Sequence, residues 1–142
     1  IYQGNNSRLD ELQAAFLAAK LPSLDEVNVF RRSVAAKYLA GIKNDKVILP
    51  YVNPDTEPVW HIFALRCKDR AALEKHLNDR GIGTNKHYPI PMHMQGCYAD
   101  MGIKEGSLPI AEEISATELS IPMYYGMTDE EIQYVIDAIN AF

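Results

Sequence analysis

The sequence predicts an α+β domain. It should hold a small mixed or antiparallel sheet of three to four strands, covered by helices on one face and preceded by two further helices. Three observations carry this expectation. Apolar residues recur at helical spacing in five separate stretches, each with a start or stop signal. The runs rich in β-formers are short and few, and the first two follow one another with no helix between, unlike a βαβ unit. The chain has 142 residues, a length that suits one domain.

The elements follow in order. Ser7 with Asp10 resembles a capping box, and Leu9, Leu12, Phe16 and Leu17 then keep helical spacing until Pro22 stops the run. Ser23 and Glu26 form a full capping box for a second helix, striped by Val27, Phe30, Val34, Tyr38 and Leu39 and ending near Gly41. Arg31, Arg32 and Lys37 read as its wet face. Val47-Ile48-Leu49 is short and β-like, Asn53-Pro54-Asp55 is turn chemistry, and Val59 to Leu65 reads as a strand. Asp69 can cap a helix holding Leu73 and Leu77, which Gly81 stops in the left-handed position. Residues 82–88 read as a short strand running into Pro89, and 89–107 as loop with a helical turn at Tyr98-Ala99-Asp100. Ser107 and Pro109 start a helix reaching about Leu119, followed by a brief strand at Leu119-Ser120-Ile121. Thr128 and Glu131 make a last capping box, and Ile132, Val135, Ile136 and Ile139 line one face of the final helix.

Composition narrows the function classes. The chain is 47% hydrophobic and 23% charged, as in a soluble globular domain. Its net charge of −5, with Arg31-Arg32 as the densest basic pair, excludes the clustered cations that nucleic-acid binding needs. No apolar run approaches the ~18 residues of a membrane span. Cys67 and Cys97 fit neither a disulfide framework nor a zinc knuckle, so the expected setting is reducing and cytoplasmic. The opening at Ile1 and the polar Gln3-Gly4-Asn5-Asn6-Ser7 lead-in suggest a piece of a longer polypeptide.

Several constellations have plain structural readings. Gly81-Ile82-Gly83 follows a helix and precedes a strand, the reverse of a dinucleotide-binding loop. Ser33 and Lys37 have the spacing of some cofactor-lysine motifs but lie within an amphipathic helix. His61, His76, His87 and His93 lack metal-ligand spacing, so no metal site is expected. His76 reads as a surface helix residue and His61 as a packed strand residue. His87 and His93 flank Tyr88-Pro89-Ile90-Pro91-Met92, a stiff loop bearing two imidazoles and a phenol: a substrate wall or an ordinary surface loop. Gly4-Asn5-Asn6-Ser7-Arg8 precedes a helix N-terminus, where backbone N–H groups and the helix dipole favour an anion. It reads either as a phosphate-contacting corner or as an N-cap with a polar lead-in.

Three co-linear segments carry a family resemblance. Gly4-x-Asn6-x-Arg8-Leu9-Asp10-Glu11-Leu12-Gln13-Ala14-Ala15, running on to Lys20-Leu21, resembles a signature of the DegT family of sugar aminotransferases. Gly81-Ile82-Gly83-Thr84 through His87-Tyr88-Pro89-x-Pro91-x-His93-x-Gln95 is similar to a second. Leu119-Ser120-Ile121-Pro122-Met123-Tyr124 with Thr128-Asp129-Glu130-Glu131 resembles the family's tail.

The resemblance implies the C-terminal small domain of a fold-type-I enzyme that uses pyridoxal 5'-phosphate. Such an enzyme moves an amino group from an amino acid, commonly glutamate, to a keto sugar, usually nucleotide-linked. It implies one C-terminal domain over 1–142: a helical segment, 1–43, linking to a large upstream domain, and a small α/β domain, 44–142. It implies no catalytic residue here, because the Schiff-base lysine and the acidic partner of the pyridine nitrogen belong upstream; the fragment alone should be inactive. Asn6 matches the asparagine that reaches across a homodimer interface to the phosphate of the partner's cofactor, with Arg8 beside it. His87, Tyr88 and His93 lie where the family meets its sugar substrate. The other readings are a lysine-less regulatory or sensor relative and a standalone substrate-binding or dimerisation module.

Overall fold

The computed structural model describes residues 4–142; the polar lead-in at Gln3 lies outside them. The chain runs α1 (Glu11–Lys20), α2 (Leu24–Gly41), β1 (Val47–Ile48), β2 (Phe63–Cys67), α3 (Arg70–Asn78), α4 (Pro109–Thr117), β3 (Glu118–Ile121) and α5 (Asp129–Asn140), with 3-10 turns at Leu21–Ser23, Met92–Met94 and Gly96–Met101. The three strands form an antiparallel sheet in the order β1-β2-β3, which is the α+β class expected.

Strand alternation divides this sheet into two unlike faces. Phe63, Leu65 and Cys67 of β2 and Leu119 and Ile121 of β3 are buried on one side. Against them lie Val34, Ala35 and Tyr38 of α2, Leu73 and Leu77 of α3, and Ile132, Val135, Ile136 and Ile139 of α5. Each large apolar side chain buried there contributes about 1.5–3 kcal/mol. Gly41 lets α2 and α5 meet: a Cβ on it would stand 2.8 Å from Ile136 Cδ1. Tyr38 rests edge-on against Phe63, and its hydroxyl donates to Pro122 O at 2.9 Å. Burial pushes this phenol's pKa well above its ordinary value.

The other face is polar. Register places Ala64 opposite Ser120 and Arg66 opposite Glu118. One helix, α4, sits on this side, tied by Arg66 Nη1 to Glu113 Oε1 at 3.0 Å. The helices therefore divide between the faces, with α2, α3 and α5 on the apolar one. The first helix, α1, buries no residue at all; Leu12 and Phe16 are 71% and 67% exposed.

Several local expectations change. The cap of α1 is Asp10, whose carboxylate accepts from Gln13 N at 2.7 Å, and Ser7 takes no part. Ser23 caps nothing, because α1, the 3-10 turn and α2 run on with little break. Ser107 does not cap α4, whose N-cap position is Leu108. Residues 59–62 leave the strand, since Trp60 has φ 50° and cannot continue extended backbone. His61 is accordingly exposed rather than packed in a strand. His76 is half-buried, with Nε2 2.8 Å from Ala138 O and its ring against Phe142, so it joins α3 to α5. Residues 82–88 shrink to a single bridge, Asn85 with Ser120. Their neighbours turn to side chains instead: Lys86 N donates to Asn85 Oδ1 and His87 N to Glu118 Oε2. Asp69, Gly81 at φ 74° and the Thr128–Glu131 capping box stand as read.

Candidate functional site

The polar face of β3 builds the most structured constellation. Glu118 and Ser120 are only 4% and 5% exposed. A buried carboxylate is costly unless hydrogen-bonded. Glu118 accepts at both oxygens, from His87 N–H at 2.7 Å through Oε2 and from the Ser120 hydroxyl through Oε1. Ser120 Oγ lies 2.9 Å from His87 Nδ1. On the far side of the ring, Asn85 Nδ2 stands 3.3 Å from Nε2. His87 is thus held through its main chain and its ring.

It opens onto a shallow cleft of about 310 Å³ walled by His61, Thr84, Asn85, Ser120 and Met123. The Thr84 hydroxyl in this wall is buried without a hydrogen-bond partner. Arg31 fastens two segments of this wall together. It reads from sequence as a solvent-facing residue of α2, yet it is half-buried, and its Nη1 donates to the carbonyls of Trp60, His61 and Met123 at 3.1, 3.1 and 3.2 Å. Arg32 is also half-buried and pairs with Glu57, while Lys37 is exposed and pairs with Asp129.

The other site residues have different surroundings. Tyr88 is 72% exposed, its ring edge-on to His87. His93 turns inward: Nε2 meets Glu112 Oε1 at 2.9 Å, and the side chain is 6% exposed. Glu112 also accepts from Gly106 N and Leu108 N, and these backbone donors lead in holding its carboxyl below the usual range. His93 therefore braces the loop, while His87 and Tyr88 face outward from it. Asn6 and Arg8 are both exposed ahead of α1, with Arg8 Nε donating to Asn6 Oδ1 at 3.0 Å. Among the described residues no hydrogen bond joins this pair to the His87 cluster, so the two halves of the expected site stand apart within one chain. No group of three His, Cys, Asp or Glu side chains that could hold a metal ion occurs among the described residues. No helix among them is long and apolar enough to cross a membrane.

The Glu118-Ser120 pair was missed at the level of sequence. Its signal was the alternation Glu118-Leu119-Ser120-Ile121, in which two polar residues share one strand face.

Comparison with known proteins accounts for this architecture. It is that of fold-type-I aminotransferases, as in the crystal structure of S. venezuelae DesV in complex with a ketimine intermediate. That structure superposes with a TM-score of 0.90 at 44% identity, over 98% of this chain and 38% of that one. The model of the DegT/DnrJ/EryC1/StrS aminotransferase family matches residues 1–140, and the chain belongs to that family. The dTDP-3-amino-3,6-dideoxy-alpha-D-galactopyranose transaminase of Aneurinibacillus thermoaerophilus is 44% identical over 100% of this chain and 39% of its own length. The dTDP-3-amino-3,4,6-trideoxy-alpha-D-glucose transaminase of Streptomyces venezuelae is 45% identical over 96% of this chain and 36% of its own. The chain thus spans less than two fifths of these relatives and matches their C-terminal portion.

Proposed function

We propose that the intact protein is an aminotransferase for amino-sugar biosynthesis. It moves an amino group from an amino acid, glutamate, to the keto carbon of a nucleotide-linked sugar. It works in the cytoplasm as a homodimer with shared active sites. The observation that carries this reading is the 44% and 45% identity, over nearly all of this chain, with two transaminases whose names specify dTDP-linked amino sugars.

The cofactor of this reading is pyridoxal 5'-phosphate, which when bound supplies the electron sink for the transfer. The donor set at Asn6 and Arg8 fits its phosphate. An amide and a guanidinium stand side by side and exposed, and the Arg8 contact occupies the amide oxygen, so the NH2 end is the one offered to an anion. Exposure at that point suits a phosphate held by a second subunit. Within residues 1–43, α1 serves as the link to the large domain, consistent with its burying nothing in this one, whereas α2 packs into this domain's core. His87 and Tyr88 contact the sugar. His93 supports them by fastening their loop to Glu112.

The test is direct. The full-length protein is given pyridoxal 5'-phosphate, glutamate and a panel of dTDP- and UDP-linked keto sugars, and 2-oxoglutarate is measured. Oxoglutarate released in step with a new amino sugar is expected. Failure with every keto sugar in the presence of bound cofactor would overturn the reading.

A further inference from the structure

Donor and acceptor chemistry fixes the protonation of the His87 ring. An ionised carboxylate only accepts hydrogen bonds. With Glu118 Oε1 on Ser120 Oγ, the serine hydrogen points to Glu118. The serine oxygen is then left to accept, and the group 2.9 Å away, His87 Nδ1, must be N–H. The other side of the ring agrees independently. Asn85 Oδ1 accepts from Lys86 N at 2.8 Å, which turns the amide NH2 toward His87 Nε2. A nitrogen that meets a donor carries a lone pair, so Nε2 is the unprotonated one.

We propose that Glu118 and Ser120 are positioning residues that hold His87 as the Nδ1–H tautomer, so that Nε2 faces the cleft as a hydrogen-bond acceptor for a sugar hydroxyl. The ligand half of this statement rests on the sugar aminotransferase reading; the tautomer half does not. The double grip also gives the buried carboxylate a purpose. Among the described residues no cation pairs with Glu118; its partners are the main chain of His87 and the serine that fixes the ring. At 3.3 Å the Asn85 contact is the longest of the hydrogen bonds around His87, so a hydroxyl entering the cleft displaces the weakest one.

Glu118→Gln tests this with almost no change of shape. The backbone N–H of His87 cannot reverse, so it claims the new amide oxygen. The amide NH2 must then donate to Ser120 Oγ, and the serine hydrogen turns to His87 Nδ1. The ring proton moves to Nε2, the acceptor becomes a donor, and the Asn85 contact, the longest around the ring at 3.3 Å, gives way. The experiment uses full-length protein labelled with 15N-histidine in mildly alkaline buffer, where two-bond proton–nitrogen correlations identify the tautomer. Wild type should give Nδ1–H and Glu118→Gln the Nε2–H form. The KM for the keto sugar should rise about tenfold, the size of one lost neutral hydrogen bond, with the KM for glutamate unchanged. An unchanged tautomer in Glu118→Gln overturns the proposal. So does a switched tautomer with unchanged KM for the sugar. If the variant fails to fold, Ser120→Ala takes its place: mixed tautomers are expected, with Ser120→Thr restoring the wild-type pattern, and a single Nδ1–H form in Ser120→Ala overturns the relay. A protein that shows the tautomer switch but turns over no keto sugar rejects the ligand and the aminotransferase reading together.

Discussion

Replacing Arg31 by Met should loosen the cleft wall and the ends of β2 and β3 that run into it. Its Nη1 carries two hydrogens and faces three carbonyls, those of Trp60, His61 and Met123, so two full bonds are shared among three acceptors. A hydrogen bond to a charged group contributes about 1.5–3 kcal/mol, which puts two of them at roughly 3–6. Arg31 is half-buried, and water recovers part of that in the variant, leaving about 2–3 kcal/mol. Trp60 pushes in the same direction. It sits at φ 50°, and a left-handed conformation at a non-glycine residue costs about 1–2 kcal/mol, so the segment relaxes once released. Met keeps most of the aliphatic stem and removes only the grip. The assay is hydrogen exchange by mass spectrometry on peptides spanning 59–65 and 119–124 of the full-length protein. Protection there should fall roughly thirty- to a hundredfold, since 1.4 kcal/mol is a factor of ten. Lys37→Met, which loses only a surface pair with Asp129, is the control and should stay within about twofold. Exchange in Arg31→Met equal to that control refutes the reasoning.

Asn6→Ala should weaken retention of pyridoxal 5'-phosphate by roughly ten- to a hundredfold, since a hydrogen bond to a charged phosphate contributes ~1.5–3 kcal/mol, with Asn5→Ala unaffected in the same titration. The helix start should survive, because Asp10 is the cap. Thr128→Ala should cost about 1 kcal/mol through the α5 capping box, whereas Ser23→Ala should cost almost nothing; thermal melts compare the two. The Glu112 carboxyl has a lowered pKa in the fold, so its stabilising contribution is complete above the ordinary value of 4.5 and is lost as pH falls through the lower folded value. Gly106 and Leu108 amides should therefore lose protection in that acid window, after correction for intrinsic exchange, and Glu112→Gln should remove the pH dependence.

The parts legible in the sequence were those settled by neighbours. Thr128 and Glu131 lie three apart and satisfy each other's backbone; Asp69 caps the turn beside it, and Gly81 is placed by its own φ. The family motifs were legible for the same reason, as continuous runs at 4–8 and 87–93. What could not be read depends on distant partners. Arg31 looks solvent-facing until the carbonyls of Trp60, His61 and Met123 arrive from far along the chain. His93 looks like a partner of His87 across a loop, but Glu112, on a later helix, draws it inward. Residues 82–88 have the composition of a strand; only the competing side chains of Asn85 and Glu118 show why pairing ends after one bridge.

All four residues of β3 are buried, and their parity has a consequence for engineering. Leu119 answers to the helices alone, Ile121 to the helices and the cleft wall, Ser120 to the cleft, and Glu118 to the main chain of His87 and the Ser120 hydroxyl. A library varied at Leu119 should be scored by folding yield; one varied at Ser120 should be scored by the tautomer of His87 among molecules that fold. A slip of one residue against β2 would send the carboxylate into the apolar core and a leucine into the cleft. The Ala64–Ser120 pairing is therefore held by two independent pressures, and any redesign of this strand has to keep its register.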